Sequence, residues 1–593
     1  MEQSNKQYRT IGLLVNDIAS DFSRGVIRGV ADSLAGHKDI YLIVLAGLYD
    51  DGGSRSDKFH RYKVIYNSIY KVAELCELDS LIFSLDRVGI HSTWKLGQSY
   101  IRRFSSIPKV LIAADDQEGC VTVNFDNETG VREAVDCMVN VHGLTRLCML
   151  GGRDDNRDAQ LRRNVFVKCL ANYGITLSED QYERSDMSNN SEAAAGRLLD
   201  RNPDAQAVFC VNDATAAGLY AAMEKRDLVP GRDIMVLGFD NTHMAEEMLP
   251  PLTSVGTDTV NLGQKAFELA LTMMYGGEAH SEVVKTRLYG RESLKYETYV
   301  YSRKELLDVN PDYIYRMFDD CFYRYNSDNI SREQVNLKRL FYEIISNMLY
   351  ALRRRSIDDE KFSEIDRMLT VFFANGAMLY TDAIKLLKII DMFQNTINSA
   401  VEQCDALVRI NRLLSRMKDL AATTISEYRI RERNANALKL ELMHDFVVST
   451  MDFSPSPSDS ITSIITNIQK LGLRSASLCL FEKPVICDED DEAAALPEQI
   501  NLCCTIKNGE PYIIPEGRRR RFIKDLFTVH ELFARGAAHA LFPIFYGRSL
   551  YGLLICELTD VIYDNGEYIS SQIGMAIYIN ELTRSRREQA PDE

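Results

Sequence analysis

At 593 residues the chain is too long for one hydrophobic core and divides into about three or four domains. Apolar residues make up 46% and charged residues 26%, which excludes extensive disorder, and the formal charge of −16 excludes a large nucleic-acid footprint, because phosphate binding needs clustered Lys and Arg. The opening segment, Met1 to Thr10, lacks the apolar core of a signal peptide, and no window approaches the ~20 apolar residues of a membrane helix. The 13 cysteines are scattered without a CxxC pair, so neither a zinc site nor a disulfide framework is expected and the reading is cytoplasmic.

In chain order, Ile11-Gly-Leu-Leu-Val15 is the first buried-strand candidate, followed by Phe22, Val26, Ile27 and Val30 at helical spacing. Ile40–Leu45, Ser80–Phe83 and Lys109–Ile112 repeat the strand signal. Fully apolar strands alternating with amphipathic helices mean parallel sheets covered on both faces. The alternation restarts near residue 120, with strands at Leu147–Leu150, Ala207–Val211 and Ile234–Leu237 and helices around 159–173, 191–201 and 214–226. Two consecutive α/β units of similar size predict two lobes with a ligand cleft beyond the carboxyl ends of their strands.

From about 311 to 450 the chain reads as helix after helix. Phe393, Ile397, Ala400, Cys404 and Leu407 follow a 4-3-4-3 spacing that Ile410, Leu414, Met417 and Ala421 resume, which predicts a dimeric coiled coil, with a buried bundle helix as the alternative. A continuous helix over 393–450 would be ~87 Å long at 1.5 Å per residue. Phe453-Ser-Pro-Ser-Pro-Ser-Asp-Ser460 breaks it. A helix over Ile461–Leu471 then leads into strands at Ser475–Phe481, 501–507, 539–546 and Leu550–Leu558, with an acidic loop at Asp488–Glu492 and a closing helix from Gly566 to about Arg587.

Several stretches of the first half resemble the sensor domain of the LacI/GalR family. The clearest are Ala207-Val-Phe-Cys-Val-Asn-Asp-Ala-Thr-Ala-Ala-Gly218, Val229-Pro-Gly-Arg-Asp-Ile-Met-Val-Leu-Gly-Phe-Asp240, Leu249-Pro-Pro-Leu-Thr-Ser-Val255 and Leu262-Gly-Gln-Lys-Ala266, in the family's order and spacing. Asp126-Asn-Glu-Thr-Gly130 and Arg162-Arg-Asn-Val-Phe166 fit two further positions. The resemblance covers about residues 9–300 and implies a type I periplasmic-binding-protein-like fold that takes up a sugar, a nucleoside-like compound or a related polar metabolite. It implies that Asp240 accepts from ligand hydroxyls, that Asn212 bonds in both directions, and that Arg162 forks onto the ligand. Asp17 and Phe22 would add a polar contact and an aromatic wall, although this loop lacks the family's usual Asn-Pro. Hydroxyl-rich ligands call for such a set of carboxylate, amide, guanidinium and apolar face. Asp213 is expected to cap the following helix rather than touch ligand. Family repressors carry a helix-turn-helix headpiece before the first strand; only about eight residues precede it here, so direct DNA binding is not expected.

The C-terminal part resembles, more weakly, a GAF-type domain, through the helix and strand of 461–481 and the pair Ala540-Leu-Phe-Pro-Ile-Phe545 and Tyr551-Gly-Leu-Leu-Ile-Cys-Glu557. The expected layout is therefore a two-lobed α/β ligand-binding domain (1–300), a helical region (301–392), a long signalling helix or coiled coil (393–452) and an α+β GAF-like domain with its exit helix (453–593). No catalytic constellation, cofactor fingerprint or metal-ligand spacing is present: His444-Asp445 has no nucleotide lid after it, Cys503-Cys504 lies in a strand pattern, and Arg518–Arg521 reads as a solvated loop or helix start. The expected protein is not an enzyme. It is a metabolite-sensing signal transducer, homodimeric through its helices and passing occupancy to the GAF-like domain or to an effector. The alternatives are a regulator acting through a separate DNA-binding partner, and the sensory part of a diguanylate cyclase or kinase without its output domain.

Overall fold

The computed structural model describes residues 8–16, 18–47, 62–84, 101–104, 106–154, 156–294, 310–322, 325, 335–381, 383–450, 457–487, 494–528 and 532–589. It divides into two compact units, one of residues 1–295 and 441–593 and one of residues 296–440.

The first lobe begins with β1 (Arg9–Asn16), α1 (Asp21–Leu34), β2 (Ile40–Gly47), α2 (Lys63–Leu75), β3 (Ser80–Ser84), β4 (Lys109–Ile112) and β5 (Val121–Phe125). Ser20 caps α1 by accepting from the Ser23 amide, and Val26, Ile27, Val30 and Leu34 give the helix a buried face. The strands run parallel in the order β5-β4-β3-β1-β2 and are apolar on both faces because helices and loops cover both.

The second lobe holds α3 (Thr129–Asp136), β6 (Leu147–Gly151), α4 (Arg157–Ala171), β7 (Tyr182–Arg184), α5 (Glu192–Arg201), β8 (Ala207–Cys210), α6 (Asp213–Glu224), β9 (Met235–Phe239), α7 (His243–Glu247) and β10 (Thr253–Gly256). The chain then returns to the first lobe for α8 (Thr259–Met274) and β11 (Glu282–Val284), and crosses again to β12 (Arg287–Tyr289), which pairs antiparallel with β10. The sheet of the second lobe has the order β12-β10-β9-β8-β6-β7. The lobes are thus joined after β5, after β10 and after β11, which makes residues 126, 257–258 and 285–286 the hinge.

The second unit contains α9 (Pro311–Cys321), α10 (Leu337–Arg354), α11 (Asp359–Ala374), α12 (Ala383–Ala400) and most of α13 (Asp405–Thr450) around one apolar core. Two expectations change here. The continuous helix from 393 breaks between Ala400 and Asp405, so Phe393 and Ile397 belong to α12. Of the proposed coiled-coil seam, Phe393, Ile397, Leu407, Ile410, Leu414, Met417 and Ala421 are buried in this core, Cys404 packs against it partly buried and Ala400 is half-buried at the end of α12, so over the buried residues the bundle-helix alternative holds. A seam with packing partners on neighbouring helices has the same sequence period as one reserved for a second chain.

The C-terminal part comprises α14 (Pro457–Lys470), β13 (Ser475–Ile486), β14 (Gln499–Lys507), β15 (Glu510–Ile513), β16 (Arg520–Phe522), β17 (Ala538–Tyr546), β18 (Ser549–Glu557) and α15 (Asp560–Gln589). Its strands are antiparallel, ordered β17-β18-β13-β14-β15 with β16 also on β14. This sheet does not stand apart from the first lobe. β17 pairs parallel with β2, Ala538 opposite Leu42 through Leu541 opposite Leu45, giving one 12-stranded sheet. Both cores are shared: one face joins Val26, Ile27 and Val44 to Phe542, Ile562 and Ile569, and the other joins Tyr66, Ile69 and Leu45 to Leu541, Phe545 and Leu553. The stretches expected as separate domains, 1–300 and 453–593, fall almost entirely in one compact unit, of residues 1–295 and 441–593. The acidic loop Asp488–Glu492 lies outside the described residues.

Candidate functional site

The carboxyl ends of β8 and β9, the second turn of α4 and the start of α6 converge on a charged pair. Arg162, on α4, is buried and donates from Nη2 to Asp240 Oδ1 at 2.9 Å, from Nη1 to the Val211 carbonyl at 2.7 Å and from Nε to Asn127 Oδ1 at 3.3 Å. Its guanidinium stacks on the Phe239 ring, 3.6 Å from the centroid. A fork held at every nitrogen and backed by an aromatic face cannot swing, so it holds Asp240 at a fixed place. The Asp240 side chain keeps 33% of its surface exposed, against 5% for Arg162. Asp240 therefore presents a carboxylate oriented from behind and open in front, as a hydroxyl acceptor requires.

Asn212 is the N-cap of α6: its Oδ1 accepts from the Thr215 amide at 2.9 Å, and its Nδ2 donates to the Met187 carbonyl at 3.0 Å. Asp213, expected to be the cap, is instead the first residue inside the helix, because Asn212 has the extended backbone a cap needs. The Asp213 carboxyl faces away from the helix. Oδ2 accepts from Thr242 N at 2.7 Å and Thr242 Oγ1 at 2.9 Å, and Oδ1 from Ser254 Oγ at 2.6 Å. Burial first, and then the charge of Asp240, push its pKa up to about 7.

Across the cleft, Phe22 lies half-buried in the first turn of α1 and packs against the shared core. Its neighbour Asp21 accepts from the His243 amide at 2.9 Å, which ties the first lobe to the Asp240 loop. A second tie joins Arg157 at the start of α4 to Asp115 beyond β4. Asp17 lies outside the described residues.

The structure thus brings Arg162 and Asp240 into direct contact, sets Asn212 beside the Val211 carbonyl that Arg162 grips, and puts Phe22 on the opposite lobe. Sequence reasoning missed Phe239 as the stacking face and Asn127 as a partner of Arg162, although both lie in the quoted stretches Val229–Asp240 and Asp126–Gly130. It also missed Asp21, whose acceptor role needs a residue 222 positions away. Among the described residues, no three His, Cys, Asp or Glu side chains are grouped as metal ligands. No helix among them is long and apolar enough to cross a membrane.

The model of the periplasmic binding protein-like domain matches residues 140–294. The HTH-type transcriptional repressor CytR of Escherichia coli (strain K12) is 24% identical over 271 residues, which are 45% of this chain and 73% of that protein. The HTH-type transcriptional repressor PurR of Vibrio cholerae serotype O1 (strain M66-2) is 27% identical over 265 residues, 44% of this chain and 73% of that protein. A solved structure of the transcriptional regulator CelR in complex with cellobiose is 24% identical, covers 49% of this chain and 86% of that one, and superposes with a TM-score of 0.40. The first half of the chain is two-lobed and carries a periplasmic-binding-protein-like domain, and over about 270 residues it is similar to these repressors.

Proposed function

We propose that the protein is a metabolite-responsive regulator whose LacI-type cleft takes up a small hydroxyl-rich compound, a sugar or a nucleoside-like molecule. The observation that carries this reading is Asp240, clamped by a buried, ring-stacked Arg162 and exposed toward the cleft. Repressors named CytR and PurR among the relatives support a regulatory role. Asp240 accepts from ligand hydroxyls, Arg162 orients it and offers its edge, and Phe22 faces the ligand from the other lobe; Asp17 keeps the polar contact that the family resemblance implies for it. Asn212 acts more through the loop it caps than through free hydrogen-bonding capacity.

Occupancy passes to the C-terminal part, which we take as a GAF-like domain, since ligand shifts an equilibrium only by binding one lobe arrangement better than another. The homodimer expected through the helices uses the stretch of α13 that the bundle leaves open, around Tyr428, Ile430 and Leu438. A DNA-binding partner is the second reading, favoured by the repressor relatives.

The test is thermal-shift screening of the full chain against sugars and nucleosides, repeated with Asp240→Asn. Ligand at 100-fold over its Kd stabilises by about 2.7 kcal/mol. A shift seen in the wild type and lost in the variant is the expected result. A shift of equal size in both would remove Asp240 from the site, and no shift with any compound would leave the cleft a scaffold.

A further inference from the structure

The four residues after β9 each make a different contact. Asp240 meets Arg162, Asn241 accepts from Arg291 Nη2 at 2.7 Å, Thr242 donates twice to Asp213, and the His243 amide donates to Asp21 of the first lobe. Asp240 and Asn241 both hold positive φ, 98° and 51°, a region costly for side chains other than glycine that persists only when the surroundings enforce it. What enforces it is a network under the loop. Asp213 Oδ1 occupies the space a side chain at Gly238 would fill, with a Cβ there only 2.3 Å away. Ser254 Oγ bonds Asp213 and also accepts from the Asn241 amide at 3.1 Å.

We propose that Asp213 is a positioning residue: its buried carboxyl sets the backbone of residues 240–243, and so fixes both the aim of Asp240 and the contact of His243 with the first lobe. The role given to Asp240 rests on the cleft reading above; the clamp itself does not. Mechanically, the loop cannot release His243 from Asp21 without disturbing Thr242, so ligand presentation and lobe contact share one anchor.

The carboxyl titrates in the physiological range, and linkage fixes the sign. A clamped Asp213 holds its proton up to about pH 7, whereas one exposed by loop opening ionises near 3.8, so the clamp is favoured at low pH and loosens as pH rises through that window. In the protonated form Oδ1 donates to Ser254 Oγ while Oδ2 still accepts from Thr242. The titratable and charged groups around it are Asp240 after β9, Cys210 on β8, Tyr220 on α6, Arg162 behind Asp240, and Arg291 with Glu246 beyond Asn241. Their mix of signs leaves burial as the leading cause.

Hydrogen exchange of the full chain tests this without ligand, read as protection of the amides of 241–243 relative to their intrinsic rates between about pH 5 and 8. Wild-type protection is expected to fall with rising pH. Asp213→Asn, a neutral mimic of the protonated acid, is expected to stay protected throughout, and Asp213→Ala to lose at least about tenfold at every pH. Should the alanine variant fail to fold, Thr242→Val, which removes one donor only, is expected to lose protection in the same direction. Asp21→Ala is expected to free the amide of 243 alone, which separates a failure of the lobe contact from a failure of the clamp. Unchanged protection in Asp213→Ala, or in Thr242→Val where the alanine variant does not fold, or a wild type without the pH trend, would overturn the proposal.

Discussion

Asp126 sits where the chain first leaves the first lobe, and it binds that crossing to the last one. Its Oδ1 accepts from the amide and hydroxyl of Thr286, at 3.0 and 2.8 Å, and its Oδ2 from Thr129 Oγ1 at 2.6 Å. Burial opposes ionisation there, but the hydrogen bonds from Thr129 and Thr286 outweigh it and hold the carboxyl below its ordinary range. Replacing Asp126 with Ala leaves the amide and hydroxyl of buried Thr286 without their acceptor, and we expect a loss of about 1–3 kcal/mol, measured by urea unfolding. Asp213 behaves oppositely. Its raised pKa means that its contribution to stability is full below about pH 4 and declines as pH rises to about 7. The Tm of Asp213→Asn should therefore gain on that of the wild type between pH 5 and 8; parallel curves would contradict the shift. Arg162, Asn212 and Asp240 were legible as candidates because they lie in three separate stretches that resemble one family. Their actual partners were not, since Phe239, Asn127 and Met187 meet them only through the fold.

At the scale of elements, α1 and α8 cross with almost no space between them. A Cβ on Gly29 would lie 2.0 Å from the Val260 carbonyl oxygen, and one on Gly263 would lie 2.2 Å from that of Val26. These are backbone atoms, which cannot step aside as a side chain can. Gly29→Ala and Gly263→Ala are each expected to cost about 1–3 kcal/mol and to lower Tm by several degrees, read by calorimetry. Because α1 also carries Asp21 and Phe22, such variants should disturb the cleft before they unfold the lobe. Most strands and helices were legible from their periods, for apolar runs of four to eight residues bounded by polar turns leave few alternatives. The strands β5, β7, β10, β11, β12, β15 and β16 were not, because short stretches that mix polar with apolar residues carry no clear period and exist only through their neighbours. The seam of α12 and α13 shows the limit from the other side: its spacing was read correctly, but spacing does not say whose residues fill it.

For the whole molecule, the consequential feature is the pairing of β2 with β17. It continues the first lobe's sheet into the C-terminal part, and the contacts around it are extensive. Tyr62 and Tyr66 pack on Phe545, Tyr41 on Phe533, Cys76 Sγ donates to the Ile523 carbonyl, and Arg24 of α1 pairs with Asp564 of α15. A chain cut after residue 452 would leave the β2 edge unpaired and an apolar face uncovered. We expect it to aggregate or to bind a hydrophobic dye strongly, as gel filtration and dye fluorescence would show; a soluble, ligand-competent fragment would mean that the two parts fold independently. By contrast, Arg24→Ala removes a half-exposed ion pair and should cost less than about 1 kcal/mol. The sequence alone determined the local order of the protein: two α/β lobes, a helical stretch, an antiparallel C-terminal part, and Arg162 and Asp240 as a pair worth looking for. These depend on periodicity and on short motifs, which neighbouring residues impose on one another. Only the tertiary structure decided that the first and last parts share one sheet and two cores, that a predicted coil is the seam of a bundle, and that Asp213 serves a loop rather than a helix end. Each of those rests on contacts between residues far apart in the chain, and an apolar strand or a buried carboxyl reads the same whichever distant partner it meets.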